Sequence, residues 1–260
     1  MRSVSGGAAA ALALLWACAC SAETLRASYA ISLLGLPIGT GMVKADVTET
    51  SYRIDGQAKL NALASLIVNS RGASQGHGAI VGGRISPAAF ATTAVSARST
   101  RTIRMAVKGN AVVGVEIAPP FGDSPDRVPL RPQDTRNIID PVGAFVFPAP
   151  KSALSPAACD RTLPIFDGYT RFDLKLSFVG ERKVEAKGYK GEAAVCAVRY
   201  VPIAGHRKNR PATKFMAENR DLQIWLAPVP GANALAPFRV EVETMVGMLD
   251  IEATEFSVTR

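Results

Sequence analysis

The sequence predicts an all-β fold: a large curved antiparallel sheet forming an open or spiral β-barrel, with one or two short helices. Three observations predict it. Apolar and polar residues alternate over many short segments, helical periodicity is scarce, and glycine- or asparagine-containing turns separate the segments. A sheet that curls until it closes, or nearly closes, removes the exposed edges that an open sheet presents. A two-sheet sandwich is the alternative.

Each strand follows from its own alternation. In YTRFDLKLSF, Phe172, Leu174, Leu176 and Phe178 share one face, and Arg171, Asp173, Lys175 and Ser177 share the other. That is a half-buried antiparallel strand. PFRVEVET repeats the pattern with Phe238, Val240 and Val242, and LQIWL with Leu222, Ile224 and Leu226. LDIEATEFSV alternates to Thr254 and then slips at Glu255 and Phe256, which a β-bulge produces. TIRMAVKGNAVVGVEI reads as a hairpin. Placing Ile103, Met105 and Val107 opposite Val113, Val115 and Ile117 requires a three-residue loop, Gly109 to Ala111, with positive φ at Gly109 or Asn110. Asp167-Gly168 has turn chemistry, with Phe166 before it and Tyr169 after it in strands, and Asp173 on the polar face of the second strand.

Two segments read as helical. KLNALASLIVN is one, although its Leu-Ile-Val end also suits a strand. In IIDPVGAFVF, Asp140 serves as N-cap and Pro141 as the first helical residue, and Pro148 keeps the helix brief. APPFGDSPDRVPLRP reads as an exposed proline-rich crossing within one domain.

The ends and totals bound the compartment. Arg2, the apolar run Ala8–Ala19 and a small residue at Ala22 describe a secretory signal peptide over residues 1–22, leaving a single β-rich domain over 23–260. The run is short for a bilayer span, and no leucine precedes Cys20 where lipoprotein anchoring would use one. Removing the signal takes two of the four cysteines, so Cys159 and Cys196 are expected to pair in an oxidising compartment. The formal charge of +8 suits anionic envelope components and, in that compartment, not nucleic acid.

No motif carries an enzyme's chemistry. There is no Gly-x-Ser-x-Gly elbow. The two histidines sit in QGHG, read as a turn around His77, and in AGHRKNRP, read as a loop around His206. Two histidines and a bridged cysteine pair make a poor metal set, so no metal and no cofactor are expected. GLPIGTG lacks the Gly-Lys ending of a phosphate loop, and Pro37 removes a backbone donor; it reads as a turn between strands. Asp160, Asp167 and Asp173 read as hairpin residues rather than a catalytic pair, which would need one raised carboxyl at a set distance. The basic run His206, Arg207, Lys208, Arg210 and Lys214 is the candidate contact for an anionic ligand.

In this order, GLPIGTG, IDPVGAF, CDRTLPIFDGYTRFDL and GYKGEAAVCAVRYVPIAG resemble the proteobacterial exported proteins of domain of unknown function 3108. The most specific part is the Cys…Phe-Asp-Gly…Tyr…Cys…Tyr-x-Pro-x-x-Gly series. The resemblance runs from about Leu25 to the end. It implies a periplasmic, β-rich protein without assigned catalytic residues. By fold-level analogy with envelope-stress proteins it implies a broken, spiral barrel with a disulfide. The expected function is therefore non-enzymatic, in the cell envelope. The protein would bind a lipid-like or anionic ligand in an apolar cavity near His206–Lys214, and be peripheral to the membrane at most. The rival expectations are a filled-core scaffold for an envelope protein and, behind it, a hydrolase.

Overall fold

The computed structural model describes residues 23–61, 70–149 and 154–259. The expected signal peptide and Cys20 lie outside the described residues. The chain first runs as hairpins through β1 (Glu23–Leu33), β2 (Leu36–Val47), β3 (Ser51–Leu60), β4 (Ser70–Val81), β5 (Arg84–Ser96), β6 (Thr100–Lys108) and β7 (Ala111–Ala118). A connector follows, with 3-10 turns at Pro132–Thr135, Gly143–Phe145 and Pro156–Ala158 and the two-residue β8 (Phe147–Pro148). The second half comprises β9 (Arg161–Phe166), β10 (Arg171–Ala186), β11 (Tyr189–Ala204), α1 (Pro211–Glu218), β12 (Leu222–Val229), β13 (Ala234–Thr244) and β14 (Gly247–Thr259).

One antiparallel sheet takes in all these strands. Its path runs β7-β6-β5-β4-β3-β2-β1-β14-β13-β12-β11-β10-β9, with β8 paired to β13. The two halves join where the first strand meets the last: Tyr29 lies opposite Ala253. The register slips there as the sequence predicts, between Ser28 and Tyr29, leaving Thr254 bulged. β13 is shared in the same way. Its later residues pair with β14, while Ala234 and Leu235 pair with Pro148 and Phe147 of β8. Below that point the turn of the long β10–β11 hairpin takes up β14, with Phe256 N–H donating to Lys187 O at 2.8 Å.

The edge strands β7 and β9 do not pair with each other, so the barrel is not closed by strands. The connector spans the seam. Arg136 bridges Ala111 at the foot of β7, and Ile139 bridges Ile165 of β9. Asn137 N–H donates to Asn110 O at 2.7 Å, and Ile139 N–H to Pro164 O at 2.8 Å. Higher up, side chains close the gap. Arg101 stacks on Phe121, Phe121 on Tyr169, and Arg127 on Tyr169, at 3.9, 4.1 and 3.8 Å. The proline-rich crossing is thus part of the closure, not merely an exposed loop.

Inward residues fill the interior. On β1 alone, Leu25, Ala27, Tyr29, Ile31 and Leu33 alternate with less buried neighbours. The main core gathers Tyr29, Tyr52, Phe238 and Phe256, with Val184 and Ala193 brought in by the β10–β11 hairpin. A second core surrounds the Cys159–Cys196 disulfide, which is present as expected.

Several local expectations need correction. The β6–β7 loop has two residues, Gly109 and Asn110, with φ of 58° and 60°. That is the turn matching the strand twist. The register still places Ile103 opposite Ile117, because it slips between Ala106 and Val107 and leaves Val113 bulged, 64 % exposed. In GLPIGTG the turn is Leu34-Gly35 only, and the remainder is strand β2. His77 lies mid-strand in β4, not in a turn. Of KLNALASLIVN, Lys59 and Leu60 end β3, and residues 62–69 lie outside the described residues. The capped segment at Asp140 is a single 3-10 turn rather than an α-helix.

A seam cleft as the candidate binding site

Turns 34–35 and 245–246 mark one end of the barrel, here the upper end; turns 82–83 and 109–110 mark the lower. At the lower end the seam opens into a cleft of about 1260 Å³. Its apolar wall is Ile85, Ile138, Ile139, Val146, Phe147 and Leu163. Its polar rim includes Glu49, Arg84, Asn137, Asp160, Arg161 and Asn233. The connector supplies much of the wall because it must lie against both edge strands.

Arg161 is placed by backbone carbonyls. Its Nη1 donates to Pro148 O at 3.1 Å and its Nη2 to Ala157 O at 3.0 Å. The guanidinium faces the Phe147 ring at 5.8 Å. Burial lowers its pKa from the ordinary arginine value, which still leaves it charged at neutral pH. No carboxylate pairs with it among the described residues. A half-buried, unneutralised cation beside an apolar wall suits an acidic head attached to a hydrocarbon chain.

The cleft is positioned by a second site, buried behind it. Asp140 is fully buried. Its Oδ1 accepts from the N–H groups of Val142 (2.9 Å) and Gly143 (2.8 Å), and its Oδ2 from the Tyr52 hydroxyl (2.9 Å). Burial raises its pKa against the pull of those donors. The cap is the one the sequence predicts, but its purpose is tertiary: it fastens the connector to β3. Gly76 of β4 makes room, since a Cβ there would lie 2.9 Å from Asp140 Oδ1.

The three carboxylates of the Cys159–Leu176 stretch are engaged separately. Asp173 pairs with Arg171 at 2.6 Å. Asp167 Oδ1 accepts from the N–H groups of Tyr169 and Thr170, and burial raises its pKa. Asp160 sits apart on the cleft rim. Gly168 has φ 91°, and a Cβ there would meet Ile103 Cγ2 at 2.6 Å, so this turn packs on β6 across the seam. Tyr169 belongs to that turn rather than to a strand, which starts at Arg171.

The basic run is not at the cleft. It spans a loop and then α1, which holds Lys214. Arg207 is neutralised by Asp126 at 3.0 Å. The Ser124 hydroxyl and Arg207 hold the Asp126 carboxyl down at about 2. His206 Nδ1 is buried without a hydrogen-bond partner, while Lys208, Arg210 and Lys214 are exposed. The expected basic mouth on an apolar cavity is therefore absent among the described residues. The cleft lies at the opposite end, and its only sequence signal was IDPVGAF, which reads as a helix start.

A family model described as "Protein of unknown function (DUF3108)" matches residues 27–254. Among solved structures, the chain is similar to a β-barrel-like protein of domain of unknown function DUF1849 from Brucella abortus. The identity is 9 %, the TM-score 0.50, and the match covers 91 % of this chain and 98 % of that one. At that identity the likeness concerns the fold alone. No curated protein matches.

Proposed function

The chain belongs to the DUF3108 family, and from that premise we propose a non-enzymatic, exported cell-envelope protein that holds an amphipathic acidic ligand in the seam cleft. The observation that carries this reading is the pairing of the apolar wall with Arg161, a cation that no carboxylate neutralises among the described residues. The volume, about 1260 Å³, exceeds the range of about 300–1,000 Å³ usual for small-molecule sites and leaves room for an acyl chain. Export to the periplasm is supported by the signal-like N-terminus and by the disulfide. The non-enzymatic reading is supported by Asp140, Asp167 and Asp173, each engaged by structural partners.

Titration with a fluorescent long-chain carboxylate tests it. Arg84→Glu, on the exposed rim, should weaken binding about tenfold by charge reversal at the cleft mouth. Saturable binding that is identical in the variant, or none at all, would overturn the reading. The filled interior favours a second reading, an envelope scaffold whose partner protein occupies the cleft. It predicts no binding of the probe.

A further inference from the structure

We propose that the upper rim of the barrel docks on an anionic lipid surface through the tips of two neighbouring hairpins. The tips are those of β1–β2 and β13–β14. Leu34, Leu36, Met245, Val246 and Met248 are exposed there, from 36 % to 61 %. They form one patch: Leu34 N–H donates to Met248 O at 2.9 Å, and Gly247 leaves the space that the Leu34 side chain occupies.

Leu34 is costly where it stands. Its φ is 53°, beside Gly35 at 77°, in a turn whose first position suits asparagine or glycine. A leucine there is strained and 61 % exposed, so neither the turn nor the core explains it. The core beneath is complete without it: Ile31, Leu33 and Ile38 pack with Leu60, Leu249 and Ile251. These contacts hold the tips outward on a firm base.

Shape and charge select the partner. The patch is a pair of convex tips rather than a groove, which suits insertion among lipid head groups. Lys59 and Arg71, both exposed, flank it on one side and border a shallow hollow of about 410 Å³ over Thr40 and Met42. Arg220, also exposed, lies on the other side, next to Asp221, whose backbone O accepts from Glu243 N–H at 2.9 Å. Apolar tips among basic side chains, on a chain of formal charge +8, match an anionic interface. This surface is at the opposite end from the cleft and stands independently of the ligand proposed for it.

The test is co-sedimentation of the purified whole chain with vesicles of phosphatidylethanolamine and phosphatidylglycerol, against pure phosphatidylcholine. The wild type should bind the anionic vesicles and lose binding in high salt. Leu34→Asn and Met245→Ser should each weaken it about tenfold, from the lost apolar burial. Leu34→Asn suits its turn, so its unfolding midpoint should be no lower than wild type and misfolding is separated from lost docking. Val113→Asn, 64 % exposed at the lower end, should bind as wild type. Absence of wild-type binding, or equal binding by the tip variants, would overturn the proposal. So would a lipid-free dimer that Leu34→Asn dissociates, which assigns the tips to a second copy.

Discussion

Tyr52 and Asp140, separated by 88 residues, meet in the interior through a hydroxyl–carboxylate hydrogen bond of 2.9 Å. That contact joins the connector to the sheet and so fixes both the seam and the cleft wall. Asp140→Ala would leave the Tyr52 hydroxyl and two N–H groups without an acceptor. A loss of about 3–5 kcal/mol is expected, since each unsatisfied buried group costs about 1–3 kcal/mol. Asp140→Asn keeps an acceptor for the N–H groups and should cost less. Urea unfolding midpoints distinguish the two, and equal midpoints for Asp140→Ala and wild type would remove the pin.

The same carboxyl has a pH signature. Burial raises its folded pKa above the unfolded value of about 3.9, so between the two values the folded state binds more protons. The stability it contributes therefore falls as pH rises through that window. Wild type should lose stability relative to Asp140→Asn as pH climbs from about 4. A constant difference across pH would contradict the assignment.

Asp126 has the opposite sign. Its folded pKa, about 2, lies below the unfolded value, so its contribution is present above about pH 4 and is lost as pH falls toward 2. Acidification in that window should free the Arg207 loop from the Ser124–Arg127 segment. Faster amide exchange at Asn209, whose N–H donates to Asp126 Oδ2, is the expected readout. Exchange there that stays unchanged down to pH 2 would count against it.

The disulfide spans β10, tying the lead-in to β9 to β11 across a sequence separation of 37. Cys196→Ser should lower stability by about 2–5 kcal/mol, and the chain-entropy model gives about 4. An unshifted unfolding midpoint, with both thiols titratable in the wild type, would contradict it.

What was legible in the sequence was whatever alternation and turn chemistry dictate locally. The face of Phe172 to Phe178, the bulge at Thr254 and the pairing of Ile103 with Ile117 all follow from burial on one side of a strand. What was not legible depends on long-range approach. The glycines beside His77 look like turn residues, yet Gly76 and Gly78 are strand positions kept bare so that Asp140 and Tyr52 can come close. Gly76→Ala should therefore destabilise by about 1–3 kcal/mol, as overpacked cores do. The cleft was hidden for the same reason, because its walls come from a connector whose course is set only when β7 and β9 fail to meet. The basic run was legible as charge, but its chief neutraliser, Asp126, lies 81 residues earlier in the chain.

Native mass spectrometry of the protein purified from its native cells, without detergent, tests the ligand assignment most directly. A stoichiometric lipid-sized mass is expected, lost on denaturation and depleted in Arg84→Glu. A bare wild-type chain, with its disulfide formed and nothing bound, would contradict it.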